Sequence, residues 1–143
     1  MPLHLIKLCV GIDDPSDLAE RIEIQRTAAL AAGQPAEIFH TTRVTPRQAD
    51  DILPDGCLYW VIRARVQARQ RILRFDPVTG PDGIERCRIV LEPVLQLTRP
   101  QPRRAFQGWR YLKAEDAPAD LHGEGGDGLP PHLARELADL GLL

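Results

Sequence analysis

The sequence has no apolar run long enough to cross a membrane. A spanning helix needs about 20 consecutive apolar residues, whereas the apolar stretch over residues 3–10 is short and contains Lys7. The N-terminus also lacks the basic segment, the long apolar region and the small-residue cleavage site of a secretory signal. We therefore expect a cytoplasmic protein with no membrane partner.

Signatures of catalysis and of cofactor binding are also missing. The three cysteines are widely spaced and match neither a zinc site nor a disulfide framework. There is no Gly-rich phosphate loop and no GxSxG motif. The sequence predicts no metal, no other cofactor and no catalytic residue. We favour a protein that is not an enzyme, and a small hydrolase with an unrecognised site remains an alternative.

Aromatic side chains are few, and they concentrate in two stretches. The chain has two tryptophans, two tyrosines and three phenylalanines. In residues 58–75, LYWVIRARVQARQRILRF, the even positions from 58 are mostly apolar and the odd positions from 63 are mostly arginine, which predicts a strand with one apolar and one basic face. Such a strand is unusually long, so we expect a bend, a bulge or a tight reversal near residues 63–65. A helix over the same residues is the alternative.

Charge is unevenly distributed along the chain, although the net charge is only -2. Residues 1–42 carry three basic and six acidic side chains, residues 43–113 carry fourteen and seven, and residues 114–143 carry one and seven. A basic centre indicates an anionic partner. Alternatively, the acidic ends fold over the centre and neutralise it.

Helix and turn signals indicate the order of the elements. Asp14 and Pro15 are typical of a helix start, and Gly33 is typical of its end. Thr45 and Pro46 predict the start of a second, short helix. A strand precedes each helix and three to five strands follow. This order predicts an α+β protein with a small curled, mostly antiparallel sheet or barrel and two or three helices.

The composition changes after residue 113. We expect one folded domain over residues 1–113 and an acidic tail, rich in glycine and proline, over residues 114–143. Leu133, Leu137 and Leu140 share one helical face, which predicts a short C-terminal helix at the end of this tail.

Four sequence blocks carry a resemblance to known proteins. LHLIKLCVG, LYWVI, ARQRI and FQGWRYL, in this order over residues 3–121, resemble a bacterial family known only as a domain of unknown function. Gly56, Leu58 and Trp60 in GCLYW are also loosely similar to PUA-like barrels, which include the ASCH and EVE domains. That resemblance implies binding of RNA, or of a modified base in an aromatic-lined pocket. It also implies a glycine at the following reversal, where this chain has Ala64.

Flat rings beside arginines are what recognition of a nucleobase and its phosphates requires. On this basis the candidate ligand-binding residues are Arg43, Trp60, Arg63, Arg69, Arg71, Arg103, Arg104, Gln107, Trp109, Arg110 and Tyr111. The alternative places the tryptophans in the core and pairs the arginines with Glu85, Glu92 and the acidic tail. His40 is a candidate base only if a carboxylate orients it, and otherwise an ordinary strand histidine.

These observations predict a PUA-like module that binds RNA, a nucleotide or a modified base through a basic and aromatic surface. The alternative from another class is a protein-interaction module, or a homodimer, that uses the C-terminal tail and helix.

Overall fold

The computed structural model describes residues 3–121 of the 143-residue chain. Its elements in chain order are β1 (Leu3–Leu8), α1 (Pro15–Ala31), β2 (Ile38–Thr42), α2 (Ala49–Ile52), β3 (Cys57–Ile62), β4 (Arg65–Thr79), β5 (Glu85–Leu91), β6 (Gln96–Pro102) and β7 (Trp109–Lys113). A single 3-10 turn over Ala114–Asp116 follows β7. The helix predicted near the C-terminus lies outside the described residues.

The seven strands form one curled sheet that does not close into a barrel. The strand order is β2-β5-β4-β3-β1-β7, and β6 also pairs with β4. β1 and β3 run parallel, and the other strand pairs of the described region run antiparallel. The predicted α+β class, with a curled and mostly antiparallel sheet, is confirmed. The likeness to PUA-like barrels stays a prediction.

The sheet is covered on both faces. Leu5, Leu58 and Trp60 belong to a core cluster that includes Leu18 and Ile22 of α1. Their sequence neighbours Ile6, Tyr59 and Val61 point the other way and form a second cluster, on which Phe106 packs. Because strand side chains alternate between faces, one strand supplies both clusters. The six residues of β3 are all buried. The predicted alternation with arginines begins at residue 63 and falls in β4, where Val66, Ala68 and Ile72 are buried and Arg69 and Arg71 are more exposed.

The helix α1 begins as its sequence predicts. The Asp14 side chain accepts a hydrogen bond from the backbone N–H of Ser16 at 2.9 Å, and Pro15 occupies the first helical position. Gly33 follows the last turn with φ of 72°, a conformation that favours glycine. Only residues near the start of α1, Leu18 and Ile22 among them, are buried.

The helix α2 begins later than its sequence predicts. Thr45 and Pro46 lie outside it, and Gln48 is the residue that precedes its first turn. Two side chains of β7 bind this segment: Trp109 Nε1 donates to the Val44 carbonyl at 3.0 Å, and the Tyr111 hydroxyl accepts the Gln48 backbone N–H at 3.2 Å. Contacts distant in sequence therefore override the local helix signal.

The long stretch over residues 58–75 is a hairpin and not a helix. β3 and β4 pair antiparallel across Arg63 and Ala64, whose φ angles are 52° and 61°. Positive φ at both central residues is the geometry of a type I′ turn, which normally selects asparagine or glycine. The predicted reversal is confirmed, and Ala64 occupies it at a conformational cost of about 1 kcal/mol or more.

The first prediction concerns this turn. Replacing Ala64 by glycine removes the clash of its Cβ in the left-handed region, so we expect the free energy of unfolding to rise by about 1 kcal/mol. The measurement is urea unfolding at constant m-value. Ala105→Gly is the matched control, because Ala105 is exposed and has no positive φ. It should instead destabilise slightly, through the larger entropy of the unfolded chain. A loss of stability in Ala64→Gly would contradict this account.

His4 is a polar side chain buried in the sheet. Its Nδ1 accepts the backbone N–H of Cys57 at 2.9 Å, and its ring meets Tyr59 edge-on with centroids 5.1 Å apart. Burial, followed by the nearby charge of Arg69, lowers the pKa of His4 from its usual 6.5. The fold therefore holds this imidazole neutral.

The second prediction is a pH dependence of stability. Because the pKa of His4 is lower in the folded than in the unfolded chain, its contribution is present above pH of about 6.5 and is lost as the pH falls below it. The loss is at most about 1.4 kcal/mol per pH unit. His4→Asn keeps an acceptor for the Cys57 N–H without titrating. We expect its unfolding free energy to vary less than that of the wild type between about pH 7 and pH 5. Equal slopes for both proteins would contradict the assignment.

Candidate ligand-binding cleft

The described region has a cleft where the curled sheet stays open. This cleft of about 880 Å³ separates the end of β2 from the start of β7. Its lining residues are Lys7, Thr41, Thr42, Arg43, Val44, Arg86, Gln107, Gly108 and Trp109. These residues come from four separate parts of the chain, so the cleft exists only in the folded sheet.

One wall of the cleft is aromatic and rigidly held. Trp109 and Tyr111 project from the same face of β7, and their rings meet edge-on with centroids 5.0 Å apart. The hydrogen bond from Trp109 to Val44 and the one that Tyr111 accepts from Gln48 fix both rings against the segment after β2. Trp109 also packs partly on the core. Because the Trp109 ring is already fixed at the rim of the cleft, a flat ligand can stack on it without a rearrangement of the protein.

The cleft also contains cations. Arg86 is neutralised by a two-pronged contact with Asp82, at 3.1 and 2.8 Å. Lys7 and Arg43, in contrast, form no salt bridge with any carboxylate that the structure describes. The cleft therefore has two cations available to an anion beside an aromatic wall.

A smaller pocket of about 150 Å³ lies beneath α1, next to the cleft, and Lys7 lines both. Its polar wall is His40, which meets the buried Trp60 edge-on with centroids 5.4 Å apart. Burial, and then the charge of Lys7, lowers the pKa of His40. Trp60 is only 4% exposed, and its Nε1 donates to Gln70 at 2.9 Å. Trp60 therefore has the core position that the alternative interpretation assigned to it.

The structure brings together four of the candidate ligand-binding residues, Arg43, Gln107, Trp109 and Tyr111, at or beside the cleft. Arg103 and Arg110 lie on the other face of β7, against Phe106. Arg104 is exposed in the same loop. Their role in binding stays a prediction.

The arginines of the β3–β4 hairpin are dispersed among acidic partners. Arg69 binds Asp120 with both prongs, at 2.7 and 2.6 Å, and this bond raises the Arg69 pKa. Arg71 contacts Glu92 at 3.4 Å, and Arg63 at the turn lies 3.9 Å from Asp13. Pairs of this kind are what we expected if acidic segments neutralise the basic centre. One of the acidic partners, Asp120, belongs to the predicted tail.

Two cationic lining residues, Lys7 and Arg86, were not among the candidates from sequence. Lys7 interrupts an apolar strand, and a charged residue at such a position was a signal that it faces an opening in the core. Arg86 alternates regularly with apolar residues of β5 and gave no signal. Of residues 3–121, none belongs to a group of three or more metal-binding side chains. Cys57 lies 3.2 Å from Arg69, but burial is the dominant effect and raises the pKa of its thiol.

The third prediction compares two of these ion pairs. The Arg69–Asp120 side chains are 26% and 24% exposed, whereas those of Arg71 and Glu92 are 49% and 37% exposed. We expect Asp120→Asn to lower the free energy of unfolding by about 1–2 kcal/mol, because it leaves a half-buried guanidinium without its counter-charge. Glu92→Gln is the matched control, and its effect should stay below about 1 kcal/mol. Equal effects in thermal or urea unfolding would contradict this ranking.

Comparison with known proteins places the chain in a family but assigns it no activity. No curated protein and no solved structure matches it. Within the described residues, no helix is both long and apolar enough to cross a membrane. The family model for proteins of unknown function designated DUF1489 matches residues 5–143, which is almost the whole chain. The predicted relation to a family of unknown function is therefore confirmed, and the protein belongs to the DUF1489 family.

Proposed function

We propose that this protein is a cytoplasmic PUA-like module that binds RNA, a nucleotide or a modified base in the cleft between β2 and β7. The observation that carries the proposal is the position of Trp109, a ring fixed by a hydrogen bond beside Lys7 and Arg43. Neither cation has a salt-bridge partner in the described part of the chain.

The chemistry of the cleft suits a nucleotide. An aromatic ring that stacks on a base contributes about 1–3 kcal/mol, and any base has a face to offer. Lys7 and Arg43 lie close enough to the same opening to neutralise a phosphate. Arginine adds a planar fork that matches phosphate oxygens, and lysine adds a point charge. The exposed Thr41 offers a hydroxyl group at the same opening.

The shape of the cleft supports the same class of ligand. Its volume of about 880 Å³ falls in the range of small-molecule and cofactor sites. Gly108 at its rim has no atom within 4 Å of the position that a Cβ would occupy. A ligand backbone can therefore approach the protein backbone closely at this point.

The protein-interaction alternative depends on the C-terminal segment. Residues 119 and 121 hydrogen-bond to β6, since the Ala119 carbonyl accepts from Arg99 and the Leu121 N–H donates to Leu97. The remaining residues, 122–143, lie outside the described part. Association through them stays a prediction, as does the division of the chain at residue 113.

The fourth prediction tests the cleft. Arg43→Glu reverses an exposed charge and removes no salt bridge or side-chain hydrogen bond of the described region. We therefore expect it to weaken binding of nucleotides and short RNA by tenfold or more at low salt. It should also reduce the slope of log affinity against log salt by about 0.7, the value for one phosphate contact on a single strand. Quenching of tryptophan fluorescence would report binding, because Trp109 lines the site.

Arg47→Glu is the matched control for that experiment. Arg47 is exposed, lies four positions further along the chain and does not line the cleft. Its variant should retain most of the wild-type affinity. If the wild type binds no nucleotide or RNA, or if Arg43→Glu binds as tightly as the wild type, the proposed function is wrong.

A further inference from the structure

Phe106 holds two guanidinium groups on the face of β7 opposite to the cleft. The Cζ atoms of Arg103 and Arg110 lie 5.5 and 5.2 Å from the centroid of its ring. Both distances are within the range of cation–π attraction. The two guanidinium carbons are therefore at most about 11 Å apart, since both lie near one ring.

Contacts with the sheet hold the Phe106 ring and the segments that carry both arginines in place. Phe106 packs on the second core cluster, the one that contains Ile6 and Val61. The Arg103 backbone N–H donates to the carbonyl of Ala64 at 2.8 Å, which attaches this loop to the β3–β4 turn. Arg110 belongs to β7 itself. The two charges are thus arranged before any ligand arrives, and less side-chain entropy is lost on binding.

These charges are not neutralised by the described part of the protein. Arg103, Arg104 and Arg110 form no salt bridge with a carboxylate of residues 3–121. They differ in this from Arg69, Arg71 and Arg74, each of which has an acidic partner. Three arginines in one loop and strand, with no counter-charge among the described residues, form a surface that favours an anion.

This surface is continuous with the cleft. Trp109 and Arg110 are consecutive in β7, so their side chains lie on opposite faces of a strand at the end of the sheet. Gln107 and Gly108, between Phe106 and Trp109, line the cleft. Gly108 lies two residues from Phe106 and two from Arg110, and its open backbone is the place where a ligand chain can cross from the cleft toward these arginines.

We infer that the ligand is a single-stranded polynucleotide and not a free nucleotide. One nucleotide occupies the cleft, the backbone crosses the edge of the sheet at Gly108, and a following phosphate binds Arg103 and Arg110. The inference rests on the proposed function. To pass from the cleft to Arg103 and Arg110, the polynucleotide has to bend around β7. A single-stranded polynucleotide can bend in this way, whereas a duplex stays stiff over many base pairs. Phe106 is a positioning residue that orients the two guanidinium groups.

The experiment compares uridine monophosphate with the dinucleotide, tetranucleotide and octanucleotide of uridine, by calorimetry over a series of salt concentrations. We expect affinity to rise with length in the wild type. The double variant Arg103→Gln with Arg110→Gln should lose this gain while it binds the mononucleotide as the wild type does. Its salt slope for the octanucleotide should be smaller by about 0.7, because the contact with one phosphate is removed.

Two single variants separate a structural role from a positioning role. Phe106→Leu keeps an apolar side chain on the second core cluster but removes the ring. We expect it to lower octanucleotide affinity several-fold, with mononucleotide affinity and thermal unfolding close to those of the wild type. Arg99→Gln is the control, since Arg99 is an exposed arginine of β6 and contacts neither Phe106 nor the cleft. Its affinities should not change.

The outcomes distinguish this inference from the proposed function. If mononucleotide and octanucleotide bind equally well and the double variant is unchanged, the inference is wrong and the proposed function stands. If a blunt RNA duplex or polyglutamate binds as tightly as the octanucleotide, the surface is a general polyanion site and the inference is again wrong. If no nucleotide of any length binds, both are overturned.

Discussion

Two hydrogen bonds from aromatic side chains hold together the open side of the curled sheet. β2 and β7 are the terminal strands, and a sheet that does not close leaves backbone groups unpaired at such edges. Here Trp109 binds the carbonyl of Val44, and Tyr111 accepts the N–H of Gln48. These bonds connect residues more than 60 positions apart. As a result, α2 begins later in the chain than its sequence predicts. The two rings are held in fixed positions, and Trp109 forms the aromatic wall of the cleft.

The same edge strand separates two environments, and each contains positive charge that no carboxylate of residues 3–121 neutralises. One face of β7 presents Trp109 to the cleft beside Lys7, and the other presents Arg110 to Phe106. Strand geometry alone requires this division, because consecutive side chains point to opposite faces. A short turn at Gly108 joins the two sides. The proposed binding of a single-stranded polynucleotide across this edge follows from that arrangement. It does not depend on a catalytic group.

Only the folded chain shows which arginines form salt bridges with acidic side chains and which do not. Arg69 is bound to Asp120 and Arg74 to Glu37, so the basic centre is partly neutralised by acidic side chains from both flanking segments. The neutralisation interpretation therefore holds for these two arginines, and an anionic partner for the others stays a prediction. A half-buried bidentate pair is worth more than an exposed one, and the sequence contains no signal that tells which arginine acquires such a partner.

The sequence by itself determined the features that depend on near neighbours. The cap at Asp14, the stop at Gly33 and the reversal at residues 63 and 64 were all predictable, because caps and turns satisfy backbone groups a few positions away. The α+β class followed from the order of these elements. Of the site, Arg43, Gln107, Trp109 and Tyr111 were named in advance from residue type. Only the tertiary structure decided that Trp60 is buried, that Arg69 is paired and that Lys7 faces a cleft. Those outcomes depend on which strands pair and on the curl of the sheet, and a local pattern carries no information on contacts between segments 50 or more residues apart.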